Sequence, residues 1–278
     1  MVEERLYEPQ ERIWEQLSGK RIVLAGIENR ERQFFCQNLA GIRAQLGANF
    51  TVLDGTEHVS EGDYVLLFGR PSWDGEDDGS LECAGADCGN QGKSVRSHKQ
   101  GSRKWDVPAS AWQRANTSWE ETFDLLSQLE AVGRAKPGSI LLVSGNEVYG
   151  KSFGMPHARA EEELGYVCHT NSLDVPAQCL RTEEHFACQL AREEAFPVKI
   201  ARMGALPTGE AAGVLLTAAM QALIYGEDGE IYNLPGGEEY SLQGDPAAVP
   251  DEGENGALSP LEPLPVVTDA RKLESLRR

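Results

Sequence analysis

With 44 acidic against 26 basic side chains, the 278-residue sequence carries a formal charge of −18, which opposes non-specific binding to nucleic acid or to an anionic membrane. An apolar content of 40% and a mean hydropathy of −0.41 describe a globular chain long enough to bury a core, with no apolar run of membrane-spanning length. The opening Met-Val-Glu-Glu-Arg-Leu lacks the pattern of a signal peptide, so the expected address is the cytoplasm and the six cysteines are expected to be thiols.

Glu8 to Leu17 sets Ile13, Trp14 and Leu17 at helical spacing and closes on Ser18-Gly19. Arg21 to Gly26 reads as the first strand. Residues 29 to 46 follow as a helix with Phe34, Phe35, Leu39, Ile42 and Leu46 inward and Gly47 as its stop. Phe50 to Asp54 is a second strand that ends in an acid. Together they form a βαβ unit at Rossmann spacing, with Asp54 where a ribose-binding carboxylate stands.

Tyr64 to Phe68 is a third strand, broken by Gly69-Arg70-Pro71. From 72 to 109 the periodicity dissolves, and an acidic block (Asp74, Glu76, Asp77, Asp78) precedes a basic one (Lys93, Arg96, Lys99, Arg103, Lys104). The segment is expected to be a mobile, self-neutralising loop, with docking of a nucleotide phosphate on the basic block as the alternative. Cys83 and Cys88 lack the second pair that a zinc finger needs. Cys168-His169 and His185-x-x-Cys188 read as buried thiols beside partly exposed imidazoles, so no metal is expected.

Order returns at Ser118-Trp-Glu-Glu121, a capping box opening a helix whose inward stripe is Phe123, Leu126, Leu129 and Val132. Ser139-Ile-Leu-Leu-Val-Ser-Gly145 is a strand apolar on both faces, as the centre of a parallel sheet requires. Pro176 to Glu194 is helical, Val198 to Met203 a strand, Ala211 to Tyr225 helical and Glu230 to Leu234 a strand. The expected fold is α/β, a doubly wound parallel sheet of about six strands, Rossmann-like, with a reduced C-terminal lobe. Residues 1–234 form the main domain on this reading. Residues 235–278 form an acidic linker with a remnant of a substrate lobe.

The segment Val143-Ser-Gly-Asn-Glu-Val-Tyr-Gly150 resembles the Ser-Ser-x-Glu-Val-Tyr-Gly stretch of the extended short-chain dehydrogenase/reductases, the NAD-dependent epimerase/dehydratase family acting on nucleotide sugars. Ala115 to Leu126 resembles that family's helix before the central strand, Glu163 to Asn171 its loop ahead of the catalytic helix, and Val266 to Leu276 its closing strand and short helix. The resemblance implies a Ser or Thr three residues before the Val of Val-Tyr-Gly, where this chain has Gly145, while Ser144 survives on the opposite side of the strand. It also implies a Tyr-x-x-x-Lys pair on one helix face, at which the register places Cys179 and Glu183.

The family's Gly-x-x-Gly-x-x-Gly turn retains Gly26 and substitutes Asn29 and Arg32, with Glu28 and Glu31 opposing an anion at the helix start. The implied catalytic residues are therefore absent, and Gly26, Asp54 and Ser144 are the remaining candidates for cofactor contact. A Cys179 nucleophile is disfavoured because a carboxylate one turn away raises a thiol's pKa. The resulting expectation is a pseudoenzyme without bound NAD, acting as a structural or regulatory partner in a homodimer or in a heteromer with an active paralogue. The alternative is an active nucleotide-sugar epimerase, dehydratase or decarboxylase that uses NAD with relocated groups.

Overall fold

The computed structural model describes residues 12–69, 109–149, 158–164, 175–204, 206–235 and 267–276. The segment 72–108 with Cys83 and Cys88, the pair Cys168-His169 and most of the expected linker after residue 235 lie outside the described residues.

The unbroken apolar runs of the sequence become the strands of one parallel sheet. In chain order these are β1 (Arg21–Gly26), β2 (Thr51–Asp54), β3 (Tyr64–Phe68), β4 (Ser139–Gly145), β6 (Val198–Met203) and β7 (Ile231–Asn233), arranged β2-β1-β3-β4-β6-β7. Each pairs in parallel with its neighbour. Two short strands, β5 (Ala158–Arg159) and β8 (Val267–Thr268), make a separate parallel pair.

Alternate residues of every central strand enter opposite cores. Ile22, Leu24, Leu66, Phe68, Leu141 and Val143 meet α2 (Arg30–Leu46) and α5 (Glu210–Tyr225). Val23, Ala25, Val65, Leu67, Ile140 and Leu142 meet α3 (Ala109–Arg134) and α4 (Val175–Glu193) on the other face. This two-sided burial is why these strands carry no polar alternation. The fold is a doubly wound, Rossmann-like α/β sheet.

Only nine residues separate Asp54 from Tyr64, too few for the strand and crossover that a 3-2-1-4-5-6 order places beyond β2. A short turn at Thr56–His58 fills the interval, and β2 is the sheet edge. The order in which strands are added reverses between β1 and β3, so a crevice opens beyond the ends of these strands.

Three expectations are corrected. α3 begins at Ala109, and Ser118 is an interior residue on its buried face, beside Thr122, Leu125, Leu129 and Val132. Phe123, expected inward, is 61% exposed, because the packed stripe runs through Thr122 and Leu125 on either side of it. Leu46 at the end of α2 is also exposed, since the helix passes the sheet edge there.

A short helix preceding β1, at residues 12–16, buries Ile13 and Trp14, with Leu17 beside them and the Trp14 ring stacked on Phe50. At the other end α6 (Arg271–Ser275) packs Leu273 against α5, where Gln221 Nε2 donates to the Leu273 carbonyl at 2.8 Å. Among the described residues no helix is long and apolar enough to cross a membrane.

Candidate functional site

The first wall of the crevice is set by Gly26, whose φ of +93° and closeness to Phe68 leave no room for a side chain. A Cβ there would collide with the Phe68 carbonyl, so the glycine is required by packing as well as by φ. Ile27 N–H then donates to that same carbonyl at 3.0 Å, fixing the turn into α2. Asn29 caps the helix from extended backbone. Its Oδ1 accepts the Arg32 amide at 2.7 Å, and its Nδ2 donates to the Gly69 carbonyl at 3.1 Å. One of the amides that a phosphate would use at a helix start is thereby taken.

Arg32 crosses the mouth of this wall. Its Nε donates to Asp54 Oδ1 at 2.8 Å, its Nη2 stands 2.6 Å from the same oxygen, and its Nη1 donates to the Gly26 carbonyl at 2.9 Å. The arginine side chain is 9% exposed and that of Asp54 55%. The structure thus joins Gly26 and Asp54, two of the sequence candidates, and it joins them through Arg32.

The second wall is the tip of β4. Ser144 Oγ donates to Glu184 Oε1 at 2.7 Å, so its hydroxyl faces α4. Gly145 ends the strand, and the α4 side chain nearest it is Leu180, whose Cδ1 is 3.4 Å from where a Cβ on Gly145 would lie. Cys179, one position earlier, is fully buried with Val175 and packs against Trp119 of α3. Glu183 is also fully buried: its Oε1 accepts from Thr122 Oγ1 at 2.8 Å, and its Oε2 is 2.9 Å from a Cβ placed on Gly69. The three positions Gly145, Cys179 and Glu183 are therefore not gathered around one point. On α4 the side chain nearest Gly145, Leu180, has no titratable atom, and one turn on Glu184 is engaged by Ser144 and Arg202.

Behind the strand tips lies a polar network that periodicity did not reveal. Arg202 of β6 donates from Nε and Nη2 to the two oxygens of Glu184 at 3.0 and 2.8 Å, and from Nη1 to the Glu161 carbonyl at 2.6 Å. Its guanidinium lies 4.8 Å from the centre of the Tyr149 ring, and Tyr149 Oη donates to Asn233 Oδ1 at 2.5 Å. Burial raises the Tyr149 pKa above the usual phenol value, with the Arg202 charge only partly opposing it. Burial works against the Arg202 charge, but the Glu184 carboxylate outweighs it and the guanidinium pKa is raised. The signal in the sequence was Lys199 and Arg202 inside an otherwise apolar strand, since a charge there requires a partner.

The narrow crevice between these walls is lined by Asn29, Glu31, Phe68, Val143, Ser144 and Met203. Acidic Glu31 stands where a phosphate would approach. Asp54 and Gly26 are the groups best suited to hold a dinucleotide's ribose and the turn beneath its pyrophosphate. With Arg32 seated on both, they are engaged within the chain.

No protein-family model matches the sequence, and neither does any curated protein. Solved structures do share the fold. DesIV, a dTDP-glucose 4,6-dehydratase from Streptomyces venezuelae solved as a double mutant with NAD bound, is 16% identical, with 92% of this chain and 90% of that chain covered and a TM-score of 0.50. RMD from Pseudomonas aeruginosa, complexed with NADPH, is 16% identical over 77% of each chain with a TM-score of 0.47. A UDP-glucuronic acid 4-epimerase from Bacillus cereus, in complex with NAD, is 14% identical over 77% of this chain and 78% of its own with a TM-score of 0.44. At these identities the likeness is one of fold.

Proposed function

We propose that the chain is a catalytically degenerate member of the NAD-dependent epimerase/dehydratase family, serving as a structural or regulatory partner in a homodimer or beside an active paralogue. One observation carries this reading: the Arg32 guanidinium lies across the ends of β1 and β2, bonded to the Asp54 carboxylate that would hold a ribose and to the Gly26 carbonyl of the turn that would lie beneath a pyrophosphate. The absence of a hydroxyl at Gly145, and the presence of Cys179 and Glu183 where the family's Tyr and Lys are expected, supports it from the side of catalysis.

Magnitudes agree with this. A single ribose contact on Asp54 contributes roughly 1 to 3 kcal/mol, whereas a micromolar site needs about 8 kcal/mol. Titration of the purified chain with NADH, followed by fluorescence or calorimetric heat, should show no saturation in the micromolar range. Micromolar saturation, or NAD carried through purification, would reverse the reading in favour of an active nucleotide-sugar enzyme.

A further inference from the structure

We propose that Arg32 is an autoinhibitory latch, and that this one side chain, more than the lack of a glycine at position 29, keeps dinucleotides off the ends of β1 and β2. The inference rests on the reading above and identifies the contact responsible for it.

The geometry separates the two residues. Asn29 has φ −141° and ψ 178°, a backbone that any residue adopts, and both its polar atoms are turned into the wall, on the Arg32 amide and the Gly69 carbonyl. Its side chain takes one amide but does not reach Asp54. Arg32, in the first turn of α2, spans from the end of β1 to the end of β2 and bonds to both. A planar fork with fixed donors suits this double grip. The guanidinium is nearly buried although its partner Asp54 is half open to solvent, so the cation sits inward of the carboxylate, between the ends of β1 and β2. Both guanidinium contacts fall on Asp54 Oδ1, so a ribose hydroxyl bonding to that oxygen competes with Nε and Nη2 for it. Ligand and latch therefore compete for the same carboxylate.

The test is NADH titration of four full-length chains: unmodified, Arg32→Ala, Arg32→Lys and Asn29→Gly, with far-UV circular dichroism as the check of folding. Alanine keeps helix propensity at this position. Lysine keeps the charge and the stem, but a point charge cannot span both acceptors as a fork does. Arg32→Ala is expected to bind at least tenfold more tightly than the unmodified chain, Arg32→Lys about threefold, and Asn29→Gly to gain less than either. Should Arg32→Ala fail to fold, the lysine variant decides alone. An unmodified chain and Arg32 variants that are equally silent overturn the latch and leave the degenerate-family reading standing. Equal micromolar binding by all chains overturns both. Micromolar binding by the unmodified chain with a further tenfold gain in Arg32→Ala supports the latch and overturns the wider reading.

Discussion

Arg202 and Glu184 form a two-pronged ion pair between β6 and α4, with N–O distances of 3.0 and 2.8 Å and both side chains almost wholly buried. The pair holds Glu184 inside, while Glu193 at the end of the same helix is exposed. Removing one partner leaves the other charge buried, which costs about 3 to 5 kcal/mol. Arg202→Met should therefore lower the urea midpoint strongly, and Arg202→Met with Glu184→Leu should recover much of the loss. A double variant less stable than either single one would refute this account.

Tyr149 contributes to the alkaline limb of stability, together with Tyr232 and Cys188, whose pKa values burial also raises. The folded pKa of Tyr149 is raised by burial above an unfolded value of about 10. A raised pKa means that the contribution is fully present below about pH 10 and is lost as pH climbs through the folded value. Tyr149→Phe should cost about 1 kcal/mol at pH 7 through the bond to Asn233. It should also make the decline above about pH 10 less steep. Urea midpoints measured across that range check both, and parallel slopes for the two chains would contradict the assignment.

The strands were legible because burial on both faces leaves unbroken apolar runs, and β1, β3, β4 and β6 fall where those runs fall. The start of α3 was not legible. Ser118 and Glu121 satisfy a capping pattern, yet Ala109 to Asn116 contains no breaker, and the helix continues through it. Gly26, Asp54 and Arg32 were all visible in the sequence, but not that the arginine turns back onto the other two. Direction of a long side chain is a tertiary fact. The same holds for Cys179, whose helical position was clear while the face it occupies was not.

That face decides what happens when the family's residues are introduced. Cys179 has no exposed surface and fits between Val175 and Trp119, so Cys179→Tyr overfills the α3–α4 contact by a ring, a change that costs about 1 to 3 kcal/mol. Glu183→Lys removes the acceptor of Thr122 and buries an ammonium. Gly145→Ser displaces the Glu147 carboxylate and otherwise meets Leu180 at ordinary contact distance, and is the mildest of the three. The triple variant should unfold at lower temperature than the unmodified chain and show no turnover of NAD with nucleotide sugars. Normal thermal stability in that variant would mean that position 179 is not packed as described.

The last prediction concerns self-association, which we propose runs through the outer faces of α3 and α4. These helices pack on each other, and α3 presents Phe123 to solvent with the Trp119 ring 6.3 Å away. Burying an exposed phenylalanine against a second copy contributes about 1.5 to 3 kcal/mol. Exposed Glu120, Glu193 and Glu194 on the same helices bring like charges together, which opposes the contact. Because the screening length falls from about 10 Å at 0.1 M salt to about 3 Å at 1 M, the dimer should strengthen with ionic strength. Sedimentation velocity across that range should show monomer giving way to dimer, and Phe123→Glu should hold the chain monomeric without changing its thermal stability. Monomer alone at high salt and high protein concentration would remove the homodimer and leave association with a different chain as the remaining form of partnership.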